Sequence, residues 1–202
     1  MNKSKESTYH HGNLKDELIN EALVMVKENG VESITLRELT KKLGASRSAI
    51  YRHYSSKDEL ITAVIHAGFE KLDASIVPAL TSNDSVINRF KAMGQAYLGF
   101  ALQNPNIYRM IFGHVVAQQR EESCDLKDEE STKDFHRLVS LLVEGQEKKV
   151  FKVQDPILQA IYIWSNMHGL ANLYIDGHMH IQNNLDELYE LSFDNIINGM
   201  KY

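Results

Sequence analysis

One stretch of the sequence carries side chains that could contact nucleic acid. Basic, hydroxyl-bearing and small residues alternate there, at Arg47, Ser48, Ala49, Tyr51, Arg52, His53 and Lys57. Arginine pairs with guanine through two hydrogen bonds in the major groove, serine adapts to several base edges, and alanine can meet the methyl group of thymine. Lysine and tyrosine commonly contact phosphate oxygens. The pattern therefore predicts a surface that contacts both the bases and the backbone of DNA.

Two short amphipathic helices would position this surface. The hydroxyl of Thr35 can cap the amide of Glu38, and leucines then recur at helical spacing over residues 36–43. Gly44 would end this helix, because a residue without a Cβ atom enters the left-handed conformation at no steric cost. Ser46 can cap a second helix immediately afterwards. This order predicts a helix-turn-helix.

The second helix would present the base-reading side chains outward. Ile50 and Tyr54 fall on its apolar side and are expected to pack inward. A third helix would begin with another S-x-x-E capping pattern, from Ser56 to Glu59. Lys57 would then lie at a helix N-terminus, where free amide groups and its own ammonium group favour a phosphate.

Residues 44–60 resemble the DNA-binding signature of TetR-family transcriptional repressors. They include a Y-x-H-Y run at residues 51–54 and the S-K-D-E-L start of the following helix at residues 56–60. The sequence Y-H-H-G-N-L at residues 9–14 resembles the lead-in of one subgroup. W-x-x-x-H-G at residues 164–169 matches the WHG-type C-terminal effector domain of that subgroup. The resemblance covers most of the chain.

The resemblance implies roles for individual side chains. Contacts to the DNA backbone or groove edge would be made by Thr35, Arg37, Tyr51, His53 and Lys57. Contacts to bases would be made by Arg47, Ser48 and Ala49.

The resemblance also implies how the protein works. Family members are repressors that a small molecule releases from a palindromic operator. The ligand tilts the helix between the two domains and changes the spacing of the DNA-reading helices in a homodimer. This requires only that the ligand prefer the DNA-incompetent spacing. The expected partners are double-stranded DNA, a small-molecule effector and a second copy of the chain, and no cofactor is expected.

Charge is distributed unevenly along the chain. Through Lys57, ten Lys or Arg stand against seven Asp or Glu, whereas the remainder holds twelve against twenty, and the whole chain has a net charge of −5. DNA responds to the local field within a Debye length of the surface rather than to the overall charge. The basic N-terminal part is therefore the expected DNA-contacting end.

The sequence predicts an all-α protein with two domains. A length of 202 residues is enough for a small DNA-binding module and a larger second domain. Only three prolines and no alternating apolar runs bounded by turn pairs argue against a sheet. We expect an N-terminal arm and helix-turn-helix module over residues 1–57 and a connecting segment over residues 58–78. The helix of this segment is predicted to run from Lys57 through Ile76 and to end before Pro78. A helical effector-binding and dimerisation domain over residues 79–202 would follow.

Helical segments follow one another in the second domain. The periodicity predicts helices over residues 86–102, from Pro105, and over residues 132–149, 155–175 and 185–200. The charged segment over residues 121–131 lacks periodicity and predicts an exposed, mobile loop.

The predicted helix over residues 155–175 is apolar on two nearly opposite faces, so it must be buried on both sides. One face would pack inside its own domain. Part of the other would meet a second subunit together with the last helix, in a four-helix contact. The residues predicted for this contact are Ile163, Leu170, Tyr174, Leu185, Tyr189, Phe193, Ile196 and Met200. A symmetric dimer would place two reading helices about 34–36 Å apart, in successive major grooves of a palindrome.

The effector domain contains large apolar side chains that could enclose a ligand pocket, with a few polar side chains to orient the ligand. The predicted ligand-binding residues are Met93, Tyr97, Phe100, Met110, Phe112, Trp164, Met167, His168 and Asn172. Methionine and aromatic residues also fill ordinary cores, so each of these residues has a purely structural alternative.

Two other kinds of regulator stay open. His178 and His180, with Asp176 and His168 nearby in the sequence, could belong to a metal site. A divalent metal needs three or four ligands, however, and residues 176–180 are also typical of a solvated turn. An architectural or protein-interaction DNA binder without a ligand pocket would share the same N-terminal module. An enzyme is not expected, because the sequence lacks G-x-S-x-G, a Gly-rich phosphate loop, H-E-x-x-H and C-x-x-C.

The composition also predicts where the protein works. No segment is long and apolar enough to span a bilayer, and the polar, charged start is unlike a secretory signal. The single cysteine, Cys124, cannot form an internal disulfide and agrees with a reducing compartment. We therefore expect a cytoplasmic protein.

Overall fold

The chain folds into consecutive helices. A computed structural model describes residues 14–113, 129–179 and 185–202, and these ranges contain nine α-helices, one 3-10 helix at Val31–Ser33 and no strand. The helices are α1 (Leu14–Asn29), α2 (Leu36–Leu43), α3 (Arg47–Tyr51), α4 (Lys57–Leu80), α5 (Val86–Gln103), α6 (Pro105–Phe112), α7 (Glu129–Glu147), α8 (Pro156–Ile175) and α9 (Leu185–Met200). The prediction of an all-α fold is confirmed. None of the helices in the described ranges has the length and apolar character that a membrane crossing requires.

Helices α1 to α3 form the N-terminal module. Helix α1 packs against α2 and α3. The side chains that α1 buries are at most 6% exposed, among them Leu14, Leu18, Ala22, Leu23 and Val26. Ile50 and Tyr54 are at most 3% exposed, which confirms that they turn inward. The periodicity therefore predicted correctly which side of α3 packs inward.

Helix α4 joins the module to the rest of the chain and is longer than predicted. It continues through Pro78 to Leu80, so the prediction that it ends before Pro78 was wrong. Proline lacks its own N–H group, and in the last helical turn this removes a single backbone hydrogen bond. The turn still closes, because the Thr81 amide donates to the Val77 carbonyl at 3.1 Å.

The remaining helices pack around α4. Helix α4 contacts α5, α6 and α7, and α8 contacts α5 and α7. The Phe90 ring on α5 lies 6.3 Å from Phe151 and 5.2 Å from Phe193 of α9, measured between ring centroids. Helix α9 also approaches α5 at Gly94, where an added Cβ atom would lie 2.0 Å from the Phe193 ring. A side chain at this position would therefore separate the two helices.

Helix α7 begins earlier than the sequence predicted. It starts at Glu129, so the prediction of a loop was wrong for residues 129–131. Residues 121–128 of that predicted loop, Cys124 among them, lie outside the described residues. The predicted N-terminal arm and His180 also lie outside them.

Candidate DNA-binding surface and internal cavity

Side-chain caps and a glycine turn shape the helix-turn-helix. The Thr35 hydroxyl accepts a hydrogen bond from the Glu38 amide at 3.2 Å, and the Ser46 hydroxyl accepts one from the Ala49 amide, also at 3.2 Å. Between the two helices, Gly44 has a φ angle of 62°, in the left-handed region that favours glycine. These features are the ones that the sequence predicted, and they define where α2 ends and α3 begins.

The start of α4 is held by two kinds of cap. The Ser56 hydroxyl accepts a hydrogen bond from the Glu59 amide at 3.1 Å. The Glu59 carboxylate accepts bonds from the amide and hydroxyl of Ser55, one residue earlier than a capping box predicts. These bonds to Ser55 lower the pKa of Glu59, because they favour its charged form. Lys57 is exposed at the first position of the capped helix.

The structure leaves eight of the nine predicted DNA-contacting side chains exposed. We define the DNA-binding surface by these residues: Thr35, Arg37, Arg47, Ser48, Tyr51, Arg52, His53 and Lys57. Tyr51 is 50% exposed, an unusual position for a large aromatic ring. Ala49 is partly buried and packs against the core, so it offers less surface to a base than predicted.

Two polar contacts join α1 to neighbouring helices. Lys42 on α2 pairs with Glu21 on α1 at 2.6 Å. Asn106 on α6 donates from Nδ2 to the carbonyl oxygen of Lys27 on α1 at 3.0 Å, and α6 also packs along α1. The N-terminal module is therefore connected to the C-terminal helices through α6 as well as through α4.

An internal cavity of about 450 Å³ lies among the C-terminal helices. Small-molecule sites commonly occupy roughly 300–1,000 Å³. Its wall is almost entirely apolar and is formed by Phe69, Leu72, Ile76, Phe90, Met93, Gly94, Tyr97, Phe112, Asp134, Phe135, Leu138, Ile157, Ile161, Ile163, Trp164, Met167 and Phe193. The first three of these belong to α4. A molecule in the cavity would contact the same helix that begins at the DNA-binding surface.

Five of the predicted ligand-binding residues line this cavity: Met93, Tyr97, Phe112, Trp164 and Met167. The structure places the other four elsewhere. Phe100 lies one turn beyond Tyr97 and is buried, and Met110 packs toward α4 at Gly68. His168 and Asn172 lie on α8 after Met167, and neither is among the lining residues.

A hydrogen-bond network lies at one end of the cavity. The Tyr108 hydroxyl is 2.7 Å from Nδ1 of His168 and 2.8 Å from the Tyr97 hydroxyl. Trp164 donates from Nε1 to the Tyr97 hydroxyl at 3.2 Å. Burial lowers the pKa of His168 and raises the pKa of Tyr97 to about 12, so both are neutral near pH 7. Neutral side chains thus join α5, α6 and α8.

No sequence pattern predicted the parts of the wall that α4 and α7 supply. Leu72 and Ile76 have the spacing of ordinary core residues, which carries no sign of a cavity. Asp134 gave no signal either, because an acidic residue in the first part of a helix is normally solvated. Burial raises the pKa of Asp134 to about 6. Only the packing of α7 against its neighbours places this carboxylate in the wall.

Five of the residues predicted for a dimer contact belong to the core of one protomer. Their exposure is at most 6%: Ile163, Tyr189, Phe193, Ile196 and Met200. The prediction that these five residues contact a second subunit was wrong, because a side chain packed inside its own chain has almost no surface left for a partner. Partial exposure remains for Leu170, Tyr174 and Leu185.

Helices α8 and α9 expose a different set of residues. Leu158 and Tyr162 on α8 are 65% and 58% exposed, and Leu191 on α9 is 58% exposed. Leu158 and Tyr162 border a groove together with Asn195 and Gly199 of α9. We call this set the outer face: Leu158, Tyr162, Leu191, Asn195 and Gly199. Adjacent exposed apolar side chains are typical of interaction surfaces.

The described residues contain no group of three or more His, Cys, Asp or Glu side chains placed to hold a metal ion. Asp176 pairs with Arg109 at 2.9 Å. His178 is exposed and follows Gly177, which has a φ angle of 72° in the turn after α8. The part of this possible metal site that lies within the described residues is therefore a solvated turn.

The fold, the capped helix-turn-helix and the helical second domain define a DNA-binding transcription regulator. Residues 15–64 match the model of the bacterial regulatory proteins of the tetR family. Residues 90–196 match the model of the tetracyclin repressor-like C-terminal domain. The chain belongs to the TetR family. It is a transcription regulator and not an enzyme.

Individual relatives and solved structures agree with this assignment. Nucleoid occlusion factor SlmA from Vibrio cholerae serotype O1 is 28% identical over 166 residues, covering 81% of this chain and 84% of the relative. A protein of unknown function from Rhodococcus sp. RHA1 has a similar structure, with a TM-score of 0.81, 23% identity, and coverage of 98% of this chain and 100% of that one. The TetR family transcriptional regulator PfmR from Thermus thermophilus has a TM-score of 0.63 at 22% identity, covering 93% of this chain and 100% of that one. These structural likenesses show a shared fold.

Proposed function

We propose that this chain is a homodimeric repressor that binds a palindromic operator and is released from it by a small, mainly apolar molecule. One observation carries the proposal: α4 begins at the DNA-binding surface with Lys57 and lines the cavity with Phe69, Leu72 and Ile76. The two sites therefore share one continuous helix. A ligand that alters the position of α4 would also alter the position of the helix-turn-helix.

Different residues of the DNA-binding surface would contact bases and phosphates. Arg47 and Ser48 stand at the start of α3, where exposed side chains can reach base edges in the major groove. Lys57 and Tyr51 would contact phosphates, as would the other side chains at the rim, Thr35, Arg37, Arg52 and His53. The partly buried Ala49 would contribute a smaller contact.

The outer face would form the dimer contact. Leu158 and Tyr162 of α8 would pack against α8 and α9 of a second copy in a four-helix arrangement. Gly199 has open space around its Cα atom, so the backbones could approach closely there. A two-fold dimer presents two identical reading helices, which suits an operator with two-fold symmetry.

A ligand would act by favouring one spacing of these helices over another. Coupling requires that the ligand bind the DNA-incompetent arrangement more tightly. Helix α6 offers a second route for the change, because Tyr108 joins it to the network beside the cavity and Asn106 joins it to α1. In this scheme residues 1–57 read DNA, residues 58–78 transmit the change and residues 79–202 bind ligand and partner.

The proposal is tested by selecting bound fragments from a random DNA pool with the full-length protein. A two-fold symmetric motif with half-sites about one helical turn apart is expected. Affinity for the selected fragment should then fall steeply with salt, because phosphate contacts release counterions. Binding without sequence preference, or a motif with a single half-site, would contradict the dimeric operator reader.

A second function is favoured by the relatives that carry the name nucleoid occlusion factor. That name describes an action other than ligand-controlled repression, and it supports a DNA binder that acts through a protein partner. The two functions differ in the effect of a cavity ligand on DNA binding. A ligand that binds the protein and leaves operator affinity unchanged would favour the second function.

A further inference from the structure

We propose that the cavity binds a lipophilic organic cation whose ammonium group lies against the carboxylate of Asp134. This inference rests on the proposed function, because it names the ligand class of the same cavity. Among the described lining residues, Asp134 carries the only carboxylate, and no lysine, arginine or histidine accompanies it. The other polar groups of the wall, the Tyr97 hydroxyl and the Trp164 indole N–H, are bonded to each other. The charge of the wall is therefore negative and comes from one residue.

The described basic neighbours of the Asp134 carboxylate are on its own helix: Lys133 acts through its charge, and Arg137 forms a long ion pair. The Asp134 side chain is 18% exposed, and its one described hydrogen bond comes from Arg137 at a long 3.4 Å to Oδ1. Arg137 is itself engaged by Asp73 of α4 in a closer ion pair. A buried charge without a full set of partners is costly, and a bound cation would supply the missing partner.

Aromatic rings surround the position where a cation would lie. Phe135 follows Asp134 on α7, and its ring centroid is 6.2 Å from that of Trp164. Tyr97 lies close enough for the charge of Asp134 to contribute to the raised pKa of its hydroxyl. Ring faces attract a cation electrostatically, more strongly when water is excluded. A quaternary or protonated amine would be favoured by the carboxylate and by the rings together.

The rest of the cavity fixes the other half of the ligand. Leu72 and Ile76 of α4, Leu138 of α7 and Ile161 of α8 offer apolar surface. An alkyl chain or ring system would be buried there without needing hydrogen bonds. A neutral ligand would leave the carboxylate without a partner, and an anionic ligand would be repelled by it. The geometry therefore favours a cationic head with an apolar body over both alternatives.

Three probes with the same alkyl chain length test the proposal: decyltrimethylammonium, 1-decanol and decanoate. The full-length protein is titrated with each probe at pH 7.5, below the concentration at which the probe forms micelles. Trp164 reports binding through its fluorescence, because it lines the cavity and is the only tryptophan of the chain. Calorimetry gives the stoichiometry. We expect decyltrimethylammonium to bind at least tenfold more tightly than 1-decanol, and decanoate to bind most weakly.

The matched variants are Asp134→Asn, which keeps the shape and removes the charge, and Asp186→Asn, which removes an exposed charge on α9. Asp134→Asn should lose at least tenfold in affinity for the cation and keep its affinity for 1-decanol within twofold. Asp186→Asn should change neither. The comparison of the three probes on the unmodified protein stands even if a variant fails to fold.

The outcomes separate this inference from the proposed function. Equal affinity for decyltrimethylammonium and 1-decanol would overturn the cationic class and leave an effector cavity in place. An unchanged cation affinity in Asp134→Asn would overturn the role of that carboxylate. Absence of binding by all three probes would overturn the inference together with the proposed effector cavity.

Discussion

The hydroxyl of Tyr108 on α6 lies 2.7 Å from Nδ1 of His168 on α8. Tyr108 is fully buried, and its ring packs 4.9 Å from Phe112, which lines the cavity. Two residues earlier on the same helix, Asn106 bonds to the backbone of α1. The hydrogen bond between Tyr108 and His168 therefore stands between the cavity wall and the contact of α6 with the DNA-binding module.

Removing the Tyr108 hydroxyl tests the contribution of this network. Tyr108→Phe keeps the ring but removes the closest partner of both the Tyr97 hydroxyl and His168 Nδ1, which are left 3.4 Å from each other. We expect the free energy of unfolding to fall by about 1–3 kcal/mol, the cost of an unsatisfied buried polar group. Urea denaturation measures it. Tyr202→Phe is the control, because Tyr202 is 76% exposed and its substitution should change stability by less than about 0.5 kcal/mol. Equal stabilities of the two variants would refute a role for the network.

The carboxylate of Asp134 makes stability depend on pH. Its pKa is raised by burial from an ordinary 3.8 to about 6, so the folded protein holds this proton up to about pH 6 while the unfolded chain releases it near pH 4. The folded state binds more protons in this window, so this contribution to stability is present below about pH 4 and is lost as the pH rises to about 6. Asp134→Asn has no carboxylate to lose this contribution. Its free energy of unfolding at pH 7 should therefore exceed that of the unmodified protein by up to about 3 kcal/mol.

The pH effect of Asp134 must be read as a difference between variants. His168 has a lowered pKa, so its contribution runs the other way: the unfolded chain takes up its proton below pH 6.5 and stability falls as the pH drops. The charged groups around Asp134 are Lys133 and Arg137 on α7 and Asp73 on α4. The unmodified protein and Asp134→Asn share His168 and all of these charged groups, so their effects cancel in the difference. Urea denaturation at pH 4, 5, 6 and 7 measures the free energy of unfolding of the two proteins. The difference between them should grow as the pH rises, and a constant difference would show that the pKa of Asp134 is not raised by burial.

Close packing of α4 on α6 predicts opposite effects for two glycines. A Cβ atom on Gly68 would lie 2.6 Å from Cγ2 of Ile111, whereas one on Gly99 would meet nothing within 4 Å. Gly68→Ala should destabilise the fold by about 1–3 kcal/mol through overpacking. Gly99→Ala should stabilise it by about 0.5–1 kcal/mol, because alanine favours the helix interior. Thermal unfolding compares them, and a gain in stability for both would show that α4 and α6 separate freely at Gly68.

Two basic residues of the DNA-binding surface should respond differently to substitution. Arg47→Ala should cost about 1–3 kcal/mol on the selected operator and relax sequence choice at one base pair. Lys57→Ala should weaken binding to all sequences and lower the salt slope by about one. Affinities of both variants for the operator and for a scrambled fragment, over a salt series, distinguish the roles. Equal losses on both fragments for both variants would refute the division between base and phosphate contacts.

The helix-turn-helix could be predicted in detail because its determinants are local. Thr35, Gly44 and Ser46 act on backbone groups within a few residues of themselves, so residue type and spacing suffice. The end of α4 was mispredicted because the cost of Pro78 depends on its place in the last turn. Local residue types therefore predicted the starts of α2 and α3 correctly but not the end of α4.

The cavity lining and the exposed face of α8 could be predicted only in part because both depend on packing. The sequence identified α8 as apolar on two faces, but periodicity cannot tell which face meets its own protomer. Ile163 proved to be core, while Tyr162 beside it is exposed. The same limit hid Asp134, whose burial follows from the way α7 lies against α4 and α8. Tertiary contacts decide such positions, and the sequence pattern does not encode them locally.

The outer face predicts a specific loss of dimerisation. Leu158→Glu and Tyr162→Glu would place a charge on exposed apolar surface of α8, which costs nothing in a monomer and is unfavourable when buried between two copies. We expect sedimentation velocity to show a shift from dimer to monomer, and operator affinity to fall because each monomer reads a single half-site. Val24→Glu is the control, since Val24 is a 45% exposed apolar residue on α1, outside the outer face. A dimer that persists in both α8 variants would place the contact elsewhere.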